Sequence, residues 1–192
     1  MPRHHHRPRD PRRVDPLSAP YRNYVVFDVE TTGLDPENGA TLIEIGAVRF
    51  HRDEQVDVFS TLIDPQCELP EFITELTGIA PDMLDGQPTQ SEAYAMFDKW
   101  VGADSLVIAH NAPFDMGFLD AAARQTGMQG FDHYFLDTLE MSRRLHPQWR
   151  HHRVADLIVR YGIADTEAHR GLQDSLQEAA LYRIMRRQYF RV

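Results

Sequence analysis

Val25-Val26-Phe27-Asp28-Val29-Glu30-Thr31-Thr32-Gly33-Leu34 is an apolar run that ends in two carboxylates two residues apart. On a β-strand, side chains i and i+2 share a face, so Asp28 and Glu30 point the same way. Two like charges that close favour protonation of one of them unless a cation compensates, and oxygen donors suit Mg²⁺ or Mn²⁺. Taken alone, the pair fits an acidic strand end facing water better. The rest of the chain decides between the two readings.

Beyond the turn residues Gly33, Pro36 and Gly39, Leu42 to Phe50 and Val56 to Ile63 read as two further strands, which makes an antiparallel three-strand meander. Pro70 to Leu76, stopped by Gly78, reads as a short helix. Thr89-Gln90-Ser91-Glu92 is a capping box, and Ala93, Met96, Phe97, Trp100 and Val101 behind it repeat at helical spacing, so 90–101 is an amphipathic helix with Trp100 in the core. Leu106 to Ala109 is a short apolar strand. A helix from Ala112 to about Gln125 follows, with Asn111 as its cap and Gly127 as its stop. More helices are expected near 138–145, 152–161 and 171–188.

Two later segments carry chemistry-bearing residues. In His110-Asn111-Ala112-Pro113-Phe114-Asp115, Asp115 falls in the first helical turn just past a strand's carboxyl end, where sites collect in α/β sheets. His110 reads as a packing or hydrogen-bonding histidine. In His169-Arg170-Gly171-Leu172-Gln173-Asp174, five residues of helix turn a side chain through roughly 140°, so His169 and Asp174 reach one centre only if His169 lies in the preceding loop. Leu172, Leu176, Ala179 and Ala180 are then expected to pack around Asp174. Glu44, in the apolar strand Leu42 to Val48, needs a buried partner and reads as structural.

With 192 residues and 42% hydrophobic content, the chain suits one domain. Residues 1–22, rich in Pro, Arg and His, are expected to form a disordered arm, with His4-His5-His6 doing nothing specific, and residues 23–192 a single domain. No stretch is apolar enough to span a bilayer and no secretory signal is visible, so a cytoplasmic protein without membrane contact is expected. Cys67 is the lone cysteine and reads as inert. The net charge of −9 disfavours nucleic acid only if it is evenly spread. It is not: Arg143, Arg144, Arg150, Arg153 and Arg160 cluster, as do Arg183, Arg186, Arg187 and Arg191.

Together, D-V-E-T-T-G-L at Asp28 to Leu34, H-N-A-P-F-D at His110 to Asp115 and H-R-x-x-x-D at His169 to Asp174 resemble the DnaQ-like exonucleases of the DEDDh type, over about Tyr24 to Arg187. Leu76-Thr77-Gly78-Ile79, Asp137-Thr138-Leu139 and Ala155-Asp156-Leu157 look most like the bacterial DNA polymerase III proofreading, epsilon-type branch. The resemblance implies an α/β, ribonuclease H-like mixed five-stranded sheet flanked by helices. It implies two divalent cations, Mg²⁺ or Mn²⁺, held by Asp28, Glu30, Asp115 and Asp174, with Asp28 bridging and His169 as the base. Thr31, Thr32, Gly33 and Leu34, with Asn111 and Phe114, would contact the terminal nucleotide. The implied activity is 3′→5′ removal of nucleoside 5′-monophosphates from single-stranded or mismatched DNA 3′ ends. The same chemistry on RNA is the alternative, and a non-catalytic nucleic-acid binder is the alternative of another class. The chain ends directly after the helix carrying Asp174, so the extension that holds a polymerase in epsilon-type subunits is expected to be missing and stable DNA polymerase contact is not expected. Gln125 to Phe131 is similar to a sliding-clamp peptide with one extra residue, but a glycine-stopped helix followed by apolar residues accounts for it.

Overall fold

The computed structural model describes residues 10–191. The apolar run becomes the middle strand of one sheet, β1 (Tyr24–Thr31), antiparallel to β2 (Leu42–His51) and parallel to β4 (Val107–Ala109). β3 (Glu54–Leu62) extends β2 antiparallel and β5 (Phe135–Asp137) extends β4 parallel, so the order is β3-β2-β1-β4-β5. The meander and the mixed five-stranded sheet are as expected. The helices are α1 (Glu71–Thr77), α2 (Pro81–Leu84), α3 (Gln90–Val101), α4 (Pro113–Gln125), α5 (Thr138–Leu145), α6 (Val154–Arg160) and α7 (Gly171–Phe190). Among the described residues, no helix is long and apolar enough to cross a membrane.

Alternation along β1 sorts two cores. Val25, Phe27 and Val29 pack with Phe97 of α3 and with Phe118 and Leu119 of α4 on one face. Tyr24 and Val26 pack with Met141 of α5, Leu157 of α6, and Tyr182 and Met185 of α7 on the other. Asp28 and Glu30 continue that second face, beneath α7. Trp100, expected in the core, packs on Phe59 and Phe97 at its edge and is only partly buried. Phe131 is fully buried against Phe97, so the core uses the segment that resembled a clamp peptide.

Several local expectations are corrected. The resemblance implies a fifth strand, but no segment reads as β5 in the sequence, because three residues are too short to show alternation. Asn111 does not cap α4: it sits at φ 63°, its N–H donates to Asp137 Oδ1 at 3.0 Å, and the helix starts one residue later with Ala112 at the N-cap and Pro113 first. Met96 is exposed, and Tyr94 takes its place in the core. On α7 the buried face is Gly171, Asp174, Ser175, Glu178 and Ala179, while Leu176 is exposed.

The arm expected over residues 1–22 is not disordered where it is described. Arg13 bridges Phe135 in parallel, Val14 N–H donates to Phe135 O and Phe135 N–H to Arg12 O, so this segment adds to the free edge of β5. Arg12 reaches Asp10, Asp120 and the Phe131 carbonyl, Arg13 pairs with Asp137 and Glu140, and Leu17 and Tyr21 pack on the second core. Ion pairs and backbone hydrogen bonds to the β5 edge hold much of it, which is why composition pointed the other way. Residues 1–9, His4 to His6 among them, lie outside the described residues.

Candidate metal centre

The β1–β2 register sets Asp28 opposite Gly46 and Glu30 opposite Glu44. Gly46 leaves a gap over the sheet that the N-terminus of α7 fills. A Cβ at Gly46 would overlap the Gly171 carbonyl carbon and the Leu172 nitrogen, and a Cβ at Gly171 would lie 2.7 Å from the Gly46 nitrogen. Ser175 Oγ donates to Gly46 O at 2.9 Å, which fixes the contact. This backbone-to-backbone approach lowers the first turn of α7, and Asp174 with it, onto the carboxylates of β1.

Glu44 is structural, as expected. Its carboxylate accepts from Arg170 Nε and Nη2, each at 3.1 Å, and from the Gly171 N–H at 3.1 Å. Asp174 in turn accepts from the Ala168 and Arg170 N–H groups at 3.0 and 2.8 Å, which winds residues 168–170 into a tight turn with His169 at φ 51°. His169 thus lies in the loop ahead of the helix, where one centre is in reach of both side chains.

Carboxylate oxygens of Asp28, Glu30 and Asp174 come within 4.8 Å of one another, and so do ligand atoms of Glu167, His169 and Asp174. Asp115, in the first turn of α4, is buried, and the N–H groups of Val29 and of Asp115 itself face its carboxylate. Burial pushes Asp28 and Asp115 well above the usual carboxylate range; the charges of Glu178, Asp115, Glu30 and Asp174 add to the effect on Asp28. Glu30 is pushed up to about 8 by burial, then by Asp174, Glu44 and Glu167. Asp174 is also raised, mainly by burial, with its two backbone N–H bonds pulling the other way. A set of hard oxygen donors whose burial and mutual repulsion oppose ionisation is what a divalent cation neutralises.

The described residues include two acids on the site that sequence reasoning missed, Glu167 and Glu178. Both line a cleft of about 610 Å³ with Asp28, Asn111, Arg143, Arg150 and Arg153. The only sequence signals were proximity: Glu167 lies two residues before His169, and Glu178 lies one turn after Asp174. Of the first arginine cluster, Arg143, Arg150 and Arg153 thus face the cleft. Arg144 pairs with Asp15, Arg160 lies over Trp149 and Arg186 is buried on Asp53, all structural roles. His110 is a hydrogen-bonded histidine, as expected: its ring nitrogens meet Thr138 Oγ1 at 2.9 Å and His152 O at 2.8 Å, and burial lowers its pKa to about 4.

The expected nucleotide contacts divide. Thr31 Oγ1 donates to Gly33 O, and Thr32 is tied to Thr41 through its own N–H and through its hydroxyl, which accepts from the Thr41 N–H; these side chains hold the loop in shape. Leu34 is 86% exposed at the tip. It lines a separate cleft of about 640 Å³ with Phe114, Gly117 and Phe118.

The RNase_T exonuclease family model matches residues 25–182. The chain is 40% identical over 152 residues to the PolC-type DNA polymerase III of Bacillus cereus, covering 79% of this chain and 10% of that protein. It is 40% identical over 159 residues to the PolC-type polymerase of Staphylococcus epidermidis, covering 83% and 11%. The chain therefore spans about a tenth of the length of these relatives. Among solved structures, the nuclease domain of 3′hExo, a DEDDh family member bound to rAMP, superposes with a TM-score of 0.73 at 20% identity, covering 88% of this chain and 92% of that one. Exonuclease X in complex with 5′ overhanging duplex DNA gives 0.68 at 21%, covering 84% and 90%. E. coli Exonuclease I in complex with a dA16 oligonucleotide gives 0.72 at 17%, covering 85% and 40%. With the ribonuclease H-like sheet in place and residues 25–182 matched, this chain belongs to the RNase_T exonuclease family.

Proposed function

We propose that this protein is a metal-dependent 3′→5′ exonuclease that releases nucleoside 5′-monophosphates from single-stranded or mismatched DNA ends. The observation that carries the reading is the convergence of Asp28, Glu30 and Asp174 from β1 and α7 on one point, with Asp115 buried beside them. Two divalent cations, Mg²⁺ or Mn²⁺, would be held by these four carboxylates and would supply an activated water and stabilise the leaving 3′ oxygen. His169, in the turn that Asp174 winds, takes the water's proton on a ring nitrogen, a task suited to imidazole near neutral pH.

The two clefts suit the two parts of a strand end. Leu34 and Phe114 offer an apolar slot for the terminal base, with the Thr31–Gly33 loop behind it. Arg143, Arg150 and Arg153, on the wall of the acidic cleft beside Asn111, offer partners for phosphates. A frayed end enters such a slot more readily than a paired one, because the paired base must first be unstacked. The PolC-type relatives favour DNA over RNA as the polymer. Contact with a polymerase is not part of the proposal.

The test is a time course on 5′-labelled single-stranded DNA, mismatched-end duplex and single-stranded RNA, each with Mg²⁺, Mn²⁺ or EDTA. Shortening from the 3′ end only with metal, faster on DNA and on the mismatch, is expected, with cleavage abolished in a folded Asp28→Ala variant. Faster digestion of RNA would move the substrate class to RNA. Binding without hydrolysis in any metal would replace the enzyme with a nucleic-acid-binding module, and substantial activity in Asp28→Ala would sink the site assignment.

A further inference from the structure

Glu178 belongs to none of the three motifs, yet it stands one helical turn beyond Asp174 on the same buried face of α7. It is 2% exposed and lines the acidic cleft with Asp28. The His110 N–H faces its carboxylate, while its Oε2 has no hydrogen-bond partner. Among the described residues no arginine or lysine forms an ion pair with it, although Arg143, Arg150 and Arg153 line the same cleft. The charges that act on it most are negative, those of Asp115 and Asp174.

Carboxylates at i and i+4 repel along a helix, and a buried carboxylate oxygen without a partner is unfavourable in a fold. Leucine or alanine would fill the same space on α7 without that penalty. The arrangement becomes favourable if a cation lies between α7 and β1. Resting on the metal-dependent reading above, we infer that Glu178 is a fifth cation-facing carboxylate, which joins Asp28, Asp115 and Asp174 around the divalent ions and tightens their hold. It acts on the ions directly or through one bound water, and it needs no change in the reaction itself.

The experiment is Mn²⁺ titration calorimetry on the full chain, wild type and Glu178→Gln, at constant pH. Gln keeps the shape and one acceptor oxygen, so a packing role alone is preserved. Mn²⁺ affinity about tenfold lower or more in the variant is expected, together with a smaller Mn²⁺-induced rise in Tm. Unchanged Mn²⁺ affinity and stoichiometry in folded Glu178→Gln overturns the inference and leaves the metal reading standing. Absence of Mn²⁺ binding to the wild type overturns the metal reading itself. Should the variant not fold, Mn²⁺-soaked crystals of the wild type decide: an ion bound to a Glu178 oxygen or one water away supports the assignment, and ions bound only at the other carboxylates overturn it.

Discussion

Glu30 and Glu44 face each other across the β1–β2 ladder and are treated differently by their surroundings. Glu44 is neutralised by Arg170 and the Gly171 N–H, whereas Glu30 has buried acids around it and is raised from its ordinary 4.5 to about 8. A carboxyl that binds its proton more tightly when folded stabilises the protein fully below the unfolded value, and that stability is lost as pH rises through the folded one. In EDTA, Tm is therefore expected to fall between about pH 5 and pH 8, each kcal/mol lost lowering it by roughly 2–4 °C for a chain of this size. Asp28, Asp115 and Glu178 shift the same way and add to the slope. Mg²⁺ or Mn²⁺ should flatten it. A thermal melt series with and without metal checks this, and a flat profile in EDTA would contradict the charge crowding described. Asp28 and Glu30 were legible because a spacing of two fixes a strand face whatever surrounds it. Glu178 was not: in Leu172-Gln173-Asp174-Ser175-Leu176-Gln177-Glu178 the leucines suggest the packing face, and only the acidic cleft beneath α7 reverses that choice.

At the level of elements, the approach of α7 to β2 sets the site more directly than any side chain. Gly46 and Gly171 meet backbone to backbone, and no flexible side chain lies between them to yield. Gly46→Ala is expected to destabilise by about 3 kcal/mol, the upper end of ordinary overpacking. It should also lift Asp174 away from Asp28, so that metal-dependent cleavage falls by at least about tenfold even in the fraction that folds. Wild-type activity with wild-type Tm would show that the helix can shift at little cost. Elements with strong periodicity, β1, β2, α3 and α4, could be read from sequence because their own residues determine their burial. β5 could not, since Phe135, Leu136 and Asp137 are a strand only by virtue of β4 on one side and the Arg12–Val14 segment on the other. The cap of α4 was displaced for a similar reason, Asp137 having taken the Asn111 N–H.

Across the whole molecule, residues 10–22 run from the β5 edge, where Arg12 and Arg13 are paired, to the far end of α7, where Tyr21 O accepts from Arg186 and Arg22 pairs with Asp53. Removing residues 1–22 would leave Asp137 and the buried Arg186 with fewer partners and open the β5 edge. A loss of about 2–4 kcal/mol is expected, or a Tm lower by roughly 5–15 °C, with self-association through the bared edge. Thermal melts and light scattering on the shortened chain test this, and an unchanged, monodisperse protein would show the segment to be dispensable. The candidate centre itself joins the first strand to the last helix: Asp28 and Glu30 are made early, and Asp174 nearly 150 residues later. During synthesis, then, these carboxylates cannot meet until α7 has emerged. A chain stalled before Gly171 would carry the acids of β1 without the Asp174 they cluster with.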